Sequence, residues 1–424
     1  MIGGRFDSAR VARAFLLLVL MTGPAAPTVV AQPTAVPTDQ VRRAARIHAG
    51  PFYIRPFVQL TQFGIDTNVF NQPTDPKADF TFAVSPTMQV SVPLARRALL
   101  RADTEGELVW FQRFASERSF NPELDARGEL YLHRTTLFGG VRTLRTRQRP
   151  NFEIDVRSRR VENSVTAGAG VTLTRKTSLE VEGRRQSYAF DADAVFLGTS
   201  LQEQLSRTTA GVLMTARHRL TAFTTLALKA ETVTERFDFS AQRDSGTLRI
   251  LAGVELNPRA LISGRAYVGY RRLRRLAPLG MPEFRGMAAS LALSYRFAQA
   301  STLSMTYDRD LRYSLEPLQP YSLDNSVGLS ARRALGRKFD ATISAERHLY
   351  RFRNLDRDYR TGADLTGVLA PREDVTLTFS GSFGYRVGID GRIGIGGTWG
   401  SRVSTRPGRS FDSARFGTTV SYGF

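Results

Sequence analysis

The 424-residue chain contains no cysteine, which excludes a disulfide framework and any thiolate metal site. Histidine is nearly as scarce. His48, His133, His218 and His348 are the whole set, and their spacing suits no metal ion, so no metal and no cofactor are expected. No stretch approaches about 18 consecutive apolar residues, which excludes a membrane-spanning helix. Lysine is rare as well: Lys77, Lys176, Lys229 and Lys338 stand among 59 basic residues, leaving 55 arginines. The abundant feature is charge of one sign, a net +20. Such an excess first suggests nucleic acid. The arginines are scattered through strand-like stretches, however, and this argues against a nucleic-acid partner. Apolar residues at 42% are enough for burial, so the chain is not wholly disordered.

The N-terminus has the layout of a secretory signal peptide. Arg5, Arg10 and Arg13 precede the short apolar run AFLLLVLM, and small residues follow up to Ala31. Eight apolar residues are too few to cross a bilayer, which takes about 20 as a helix. Cleavage is expected after Ala31, giving a signal peptide over 1–31 and an exported mature chain. Residues 32–51 read as a periplasmic leader of weak structure. A short helix over 41–47 is compatible with it, and its length argues against a plug.

From residue 52 the texture changes. Phe80, Phe82, Val84, Pro86, Met88, Val90 and Val92 occupy every second position, which is the period of a strand. The rhythm returns at 165–173, 248–256, 262–270, 291–297 and 375–385. Tight connections at 175–178, 221–224, 257–260, 298–301, 334–338 and 370–374 take turns with longer polar ones around 191–205, 238–246, 273–284, 312–322, 352–358 and 388–411. Amphipathic strands of about ten residues with short and long ends alternating make the pattern of a transmembrane barrel. A sandwich shows no such alternation. The expectation is therefore all-β: an up-and-down antiparallel transmembrane β-barrel over 52–424. It has about 18 strands, with 16 as the other count, and both termini on the periplasmic side. The uncertain region is 124–163.

Charge on a lipid-facing side costs ~2–4 kcal/mol at the midplane, so charged ladders on strands should line the lumen. Arg101, Asp103, Glu105, Glu107 and Arg113 form one ladder, and Glu180, Glu182 and Arg184 another. Arg265, Arg271, Arg296 and Arg386 share the lumenal parity. Two readings stand side by side: ion pairs bracing a wide barrel, and a lining that favours anions. The runs RRLRR (Arg271, Arg272, Arg274, Arg275) and RSRR (157–160) fall at or near expected outer loops. There they would meet lipopolysaccharide phosphates, or merely water. Ser344, Glu346 and His348 have strand spacing, but a solvated rim is a better account of them than a hydrolytic site, so no catalytic residue is assigned.

The chain ends RFGTTVSYGF, apolar on one parity and small or polar on the other. Arg415, Gly417, Val420, Tyr422 and Phe424 resemble the C-terminal signal of Gram-negative outer-membrane proteins. That resemblance implies recognition by the barrel-assembly machinery. FGIDTNVFN at 63–71, the strand ending SPTMQVSVPL and the segment YDRDLRYSLEPLQPYS resemble the putative β-barrel porin-2 family, which includes barrels encoded near exopolysaccharide export systems. The resemblance implies outer-membrane lipid and lipopolysaccharide as surroundings and polysaccharide-export components as partners. A porin-like conduit is the first expectation, for polysaccharide export or for uptake of anionic solutes. A non-conducting barrel whose loops bind glycans or partners comes second, and a barrel hydrolase third.

Overall fold

The computed structural model describes residues 38–423 other than 95, 96, 279, 299, 360 and 389. The signal peptide expected over 1–31 and Phe424 lie outside the described residues. A helix, α1 (Thr38–Ala44), and a short strand, Ile47–Ala49, lead into eighteen long strands. These are β1 (Phe52–Asp66), β2 (Asp79–Leu94), β3 (Ala98–Phe111), β4 (Ser119–Tyr131), β5 (Thr135–Gln148) and β6 (Ser158–Thr172). There follow β7 (Thr177–Phe190), β8 (Arg207–Arg219), β9 (Thr224–Phe237), β10 (Ser245–Leu256), β11 (Ile262–Arg275) and β12 (Phe284–Phe297). The last six are β13 (Ser301–Tyr313), β14 (Tyr321–Leu335), β15 (Phe339–Arg353), β16 (Glu373–Val387), β17 (Gly391–Ser404) and β18 (Phe411–Gly423). Each pairs antiparallel with its neighbours in sequence, and β18 pairs with β1. The sheet is therefore a closed barrel. Closure removes both edges, whose unpaired backbone would cost several kcal/mol per group in hydrocarbon.

Connections of three to five residues alternate with loops of six to nineteen, so one end is trimmed and the other crowded. β1 begins and β18 ends at the short-turn end. Side chains alternate between faces as the strand period requires. Leu100, Leu108, Trp110, Val165, Val212, Met214, Ile395 and Phe416 point outward and are exposed. Outward aromatics gather toward both ends. Phe63, Phe80, Phe82 and Trp110 form a row at the long-loop end. Tyr295 stacks with Phe297, and Phe339 with Phe383 while Tyr385 tilts against it, at the other.

One irregularity keeps β1 amphipathic. Its register with β18 runs through Leu60↔Val420 and resumes at Phe63↔Thr418, so Thr61 and Gln62 together face one residue. Gln62 has φ +54°, and the bulge moves the outward face from Val58 and Leu60 to Phe63 and Ile65. Beyond it Gly64 lies opposite Gly417, where a Cβ on Gly64 would fall onto the Phe416 carbonyl.

The region 124–163, left open in the sequence, holds one whole strand, β5, between the end of β4 and the start of β6, with a turn at 132–134 before it. Two connections differ from the sequence reading. The stretch 370–374, expected as a tight turn, ends the 354–372 loop and opens β16. What reads as one long loop over 388–411 contains a turn, the whole of β17 and a six-residue loop. Five residues of β17 are glycines (Gly391, Gly394, Gly396, Gly397 and Gly400), which thins its apolar signal. The leader is also more ordered than expected. Val41 of α1 packs on the inward side chains Leu99 and Tyr131, with Tyr53 beside them, inside the short-turn mouth. Ile47–Ala49 pairs with the start of β1, and Arg46 forms an ion pair with Asp390.

Candidate functional site

Ion pairs between strands that are not neighbours locate the concave face, because only there do their side chains converge. Arg249 of β10 meets Asp310 of β13 at 2.8 Å and Glu231 at 2.7 Å. Arg271 pairs with the same Asp310. Arg217 joins Glu180 at 3.2 Å and Glu255 at 3.1 Å, and Arg392 of β17 joins Asp340 of β15 at 2.7 Å. Arg415 of β18 joins Asp66 at 2.8 Å, tying the last strand to the first.

The residues singled out in the sequence fall as follows. Arg101, Asp103, Glu105 and Glu107 alternate with outward Leu100 and Leu108 and face the lumen, where Glu107 accepts a hydrogen bond from Asn121. Glu180 meets Arg217, Glu182 meets Arg184 at 2.6 Å, and Arg265 and Arg271 face inward on β11. Arg296 and Arg386 sit at the short-turn rim. Arg296 donates to the carbonyl of Ala260, and Arg386 lies 3.5 Å from Asp340. Arg113 is a correction: it stands in the loop after β3, exposed, because the Asp79 carboxylate accepts from its backbone N–H and that of Phe114 and turns the chain there. RRLRR is another. It is the end of β11, so parity splits it: Arg272 and Arg274 face outward, while Arg271 and Arg275 face inward. Arg415 and Gly417 face inward, and Val420 and Tyr422 outward. Each ring nitrogen of His348 faces a carboxylate oxygen that accepts from it, Asp324 at 3.1 Å and Glu346 at 3.0 Å. Among the described residues no serine hydroxyl engages it, and the Ser344 arrangement does not form.

The crowded end is not an open mouth. The loop 149–157 (RPNFEIDVR) leaves the wall between β5 and β6, and Phe152 stacks on Tyr350 of β15 with ring centroids 3.4 Å apart. β15 lies nine strands from β6 in either direction round the ring of eighteen, so the loop meets side chains that project from the opposite wall. Asn151 shapes it by accepting from the N–H groups of Glu153 and Ile154. Buried Glu153 accepts from Arg372 at 2.8 Å, Ser314 at 3.0 Å and the Leu315 N–H at 2.9 Å. Asp155 accepts from Asn71 and pairs with Arg402 and Arg409. Between the two acids Ile154 is buried among Phe190 at the end of β7 and Ala194, Leu201, Leu205 and Leu315 from other loops.

These charges are set by burial and by their partners. Burial works against the Arg372 guanidinium, but Asp374 and Glu153 hold its pKa above the ordinary value. Burial pushes Arg157 and Arg409 down, and brings Arg149 down to about 10, with Arg157 nearby adding to the effect. Arg149 has carbonyl partners, Val69 and Asp155, in place of a carboxylate.

Beneath the loop, on the side of β14–β18 and β1, lies a cavity of about 890 Å³. Hydroxyls and glycines make much of its wall, with Thr376, Thr378, Ser380, Thr398 and Gly400 among them. Its charged lining is Arg149, Arg332, Arg392, Arg402, Arg415 and Asp340, beside His348. Asp340, Asp155 and Asp66 neutralise Arg392, Arg402 and Arg415. Arg149 and Arg332 have no carboxylate at ion-pair distance among the described residues.

Residues 43–420 match the model of a family described as putative β-barrel porin 2. The chain belongs to this family. Among solved structures, this porin-2 barrel is similar to the outer-membrane protein OpdK of Pseudomonas aeruginosa, with 9% identity over 88% of this chain and 98% of that one and a TM-score of 0.46. It is also similar to OccK2 (OpdF) of the same organism, with 11% identity over 88% and 97% and a TM-score of 0.49. The siderophore receptor PirA of Pseudomonas aeruginosa gives 9% over 88% and 80%, with a TM-score of 0.43. A search of curated protein sequences finds no match. These likenesses are of barrel to barrel, and no solute is carried over from them. The fold and family are those of outer-membrane barrels.

Proposed function

We propose that this porin-2 barrel is an outer-membrane channel for small anionic solutes, in which the 149–157 loop forms the constriction. The single observation behind the reading is the cavity of about 890 Å³ under that loop, where Arg149 and Arg332 supply positive charge that no carboxylate cancels. Fixed charges in a low-dielectric passage bias which ions enter it. A loop pinned inside the lumen to side chains of the far wall favours solutes small enough for that chamber over a passing polymer. Polysaccharide export is the second reading and rests on the family resemblance. In either case the 1–31 segment would direct export, both termini would be periplasmic, and the C-terminal residues from Arg415 would be read during barrel assembly.

The test is a planar-bilayer recording of purified protein under a salt gradient. The reversal potential should report anion preference, and the Arg149→Gln/Arg332→Gln double variant should lose most of it. Silence of the wild type, or cation preference, would overturn the reading.

A further inference from the structure

Two neighbouring strand pairs part before reaching the long-loop end. β12 and β13 are registered from Phe297↔Ser301 up to Ala289↔Arg309 and no further. That gap is closed from within by an apolar cluster of Leu273, Met281, Phe284, Tyr321 and Leu323, with Leu311 and Tyr313 against it. β4 and β5 are registered from Tyr131↔Thr136 to Glu123↔Leu144, leaving 119–122 and 145–148 apart. Here the filling is different. A cleft of about 410 Å³ opens, lined by Arg118, Arg145, Arg147, Arg159, Phe120 and Asp191.

Parity places this cleft on the outer wall. Arg145 and Arg147 share the face of exposed Leu137 and Val141, and Arg159 shares that of exposed Val165. Arg147 stands directly opposite Arg159. Like charges opposite one another on paired strands repel. Little on the protein offsets them. Arg147 reaches Glu117 at 3.5 Å, and Asp191 is the one carboxylate in the lining. Arg118 spends its guanidinium on the carbonyls of Phe111 and Gln112 while lying 3.5 Å over the Trp110 ring. The guanidiniums of Arg145 and Arg159 have neither an ion pair nor a hydrogen bond among the described residues. Toward the apolar band come Trp110 and exposed Phe120, with Phe82 stacked on Trp110. Aromatics followed by cations along the wall is the sequence met at a boundary between acyl chains and headgroups. Outward Arg272, Arg274 and Arg285 repeat it farther round the same end.

We propose that the cleft between β4 and β5 binds the phosphate of a lipid headgroup, of the lipopolysaccharide type, in the leaflet at the long-loop end. Guanidinium forks match phosphate oxygens two at a time. A soluble anion would meet the lumen; these groups share their face with side chains that touch hydrocarbon.

The test is lipid retention by the detergent-purified barrel, counted by native mass spectrometry. The probes are deep-rough lipopolysaccharide, its dephosphorylated form and inorganic phosphate. Wild type should hold the phosphorylated lipid at least about tenfold more tightly than Arg145→Gln/Arg147→Gln/Arg159→Gln. Arg333→Gln, an outward arginine near the short-turn end, should behave as wild type. Dephosphorylated lipid should bind wild type as weakly as it binds the triple variant. Equal retention by wild type and triple variant overturns the site, and equal retention of the dephosphorylated lipid overturns the phosphate. Displacement of the lipid by millimolar inorganic phosphate overturns the lipid as its source. Should the triple variant not fold, Arg145→Gln and Arg159→Gln singly carry the same test, since neither guanidinium is bonded among the described residues.

Discussion

Glu153 lies where water does not reach, yet both its oxygens are bonded, to Arg372, Ser314 and the Leu315 N–H. Removing one partner of a buried pair costs roughly 3–5 kcal/mol, because the other charge stays behind unpaired. Glu153→Gln keeps the shape and removes the charge, so the 149–157 loop should come loose from Arg372. Single-channel recordings should then show conductance raised severalfold with flickering, while unboiled protein still migrates as a folded barrel on gels. Arg149 gives a second expectation. Its folded pKa lies below the ordinary value, at about 10, so the buried charge weighs against folding at neutral pH and is relieved as pH rises through 10. Anion preference should therefore stay level from pH 6 to about 9 and fall above 10, read from reversal potentials.

At the scale of elements, period-two alternation made most strands legible in the sequence. The set from Phe80 to Val92 faces outward throughout β2. β17 escaped because Gly394, Gly396, Gly397 and Gly400 leave Ile393, Ile395, Trp399 and Val403 as its whole apolar signal. The pinned loop escaped for a different reason. Its partners Arg372, Arg402 and Arg409 lie more than 200 residues away in sequence, and only chain closure brings them together. Its alternation of Phe152, Ile154 and Val156 with Glu153 and Asp155 was the available hint. The β1 bulge is a testable element. Deleting Gln62 should heal the bulge, because Leu60↔Val420, Thr61↔Thr419 and Phe63↔Thr418 then form an unbroken ladder that leaves Phe63 and Ile65 outward and Asp66 opposite Arg415. The expected outcome is a retained heat-modifiable gel form; its loss would contradict the role given to the bulge.

On the scale of the whole molecule, the two ends of the barrel are obstructed by different means. Ion-paired loops occupy one, and α1 with Val41 against Leu99 and Tyr131 occupies part of the other. α1 buries little apolar surface and is not woven into the barrel. Removing residues 38–46 should raise conductance while thermal stability of the barrel, followed by circular dichroism, changes by no more than a few degrees. Unchanged conductance would mean that α1 leaves the path clear.

A hoop of eighteen strands would by itself be easy to flatten. The 149–157 loop ties the wall at β5 and β6 to Tyr350, Arg372, Arg402 and Arg409 on the far side, so nine residues brace the hoop from within and also occupy part of its width. Bore and wall are thus separate variables: selection could retune what fits through by rewriting one loop, and the surrounding sheet would need no change.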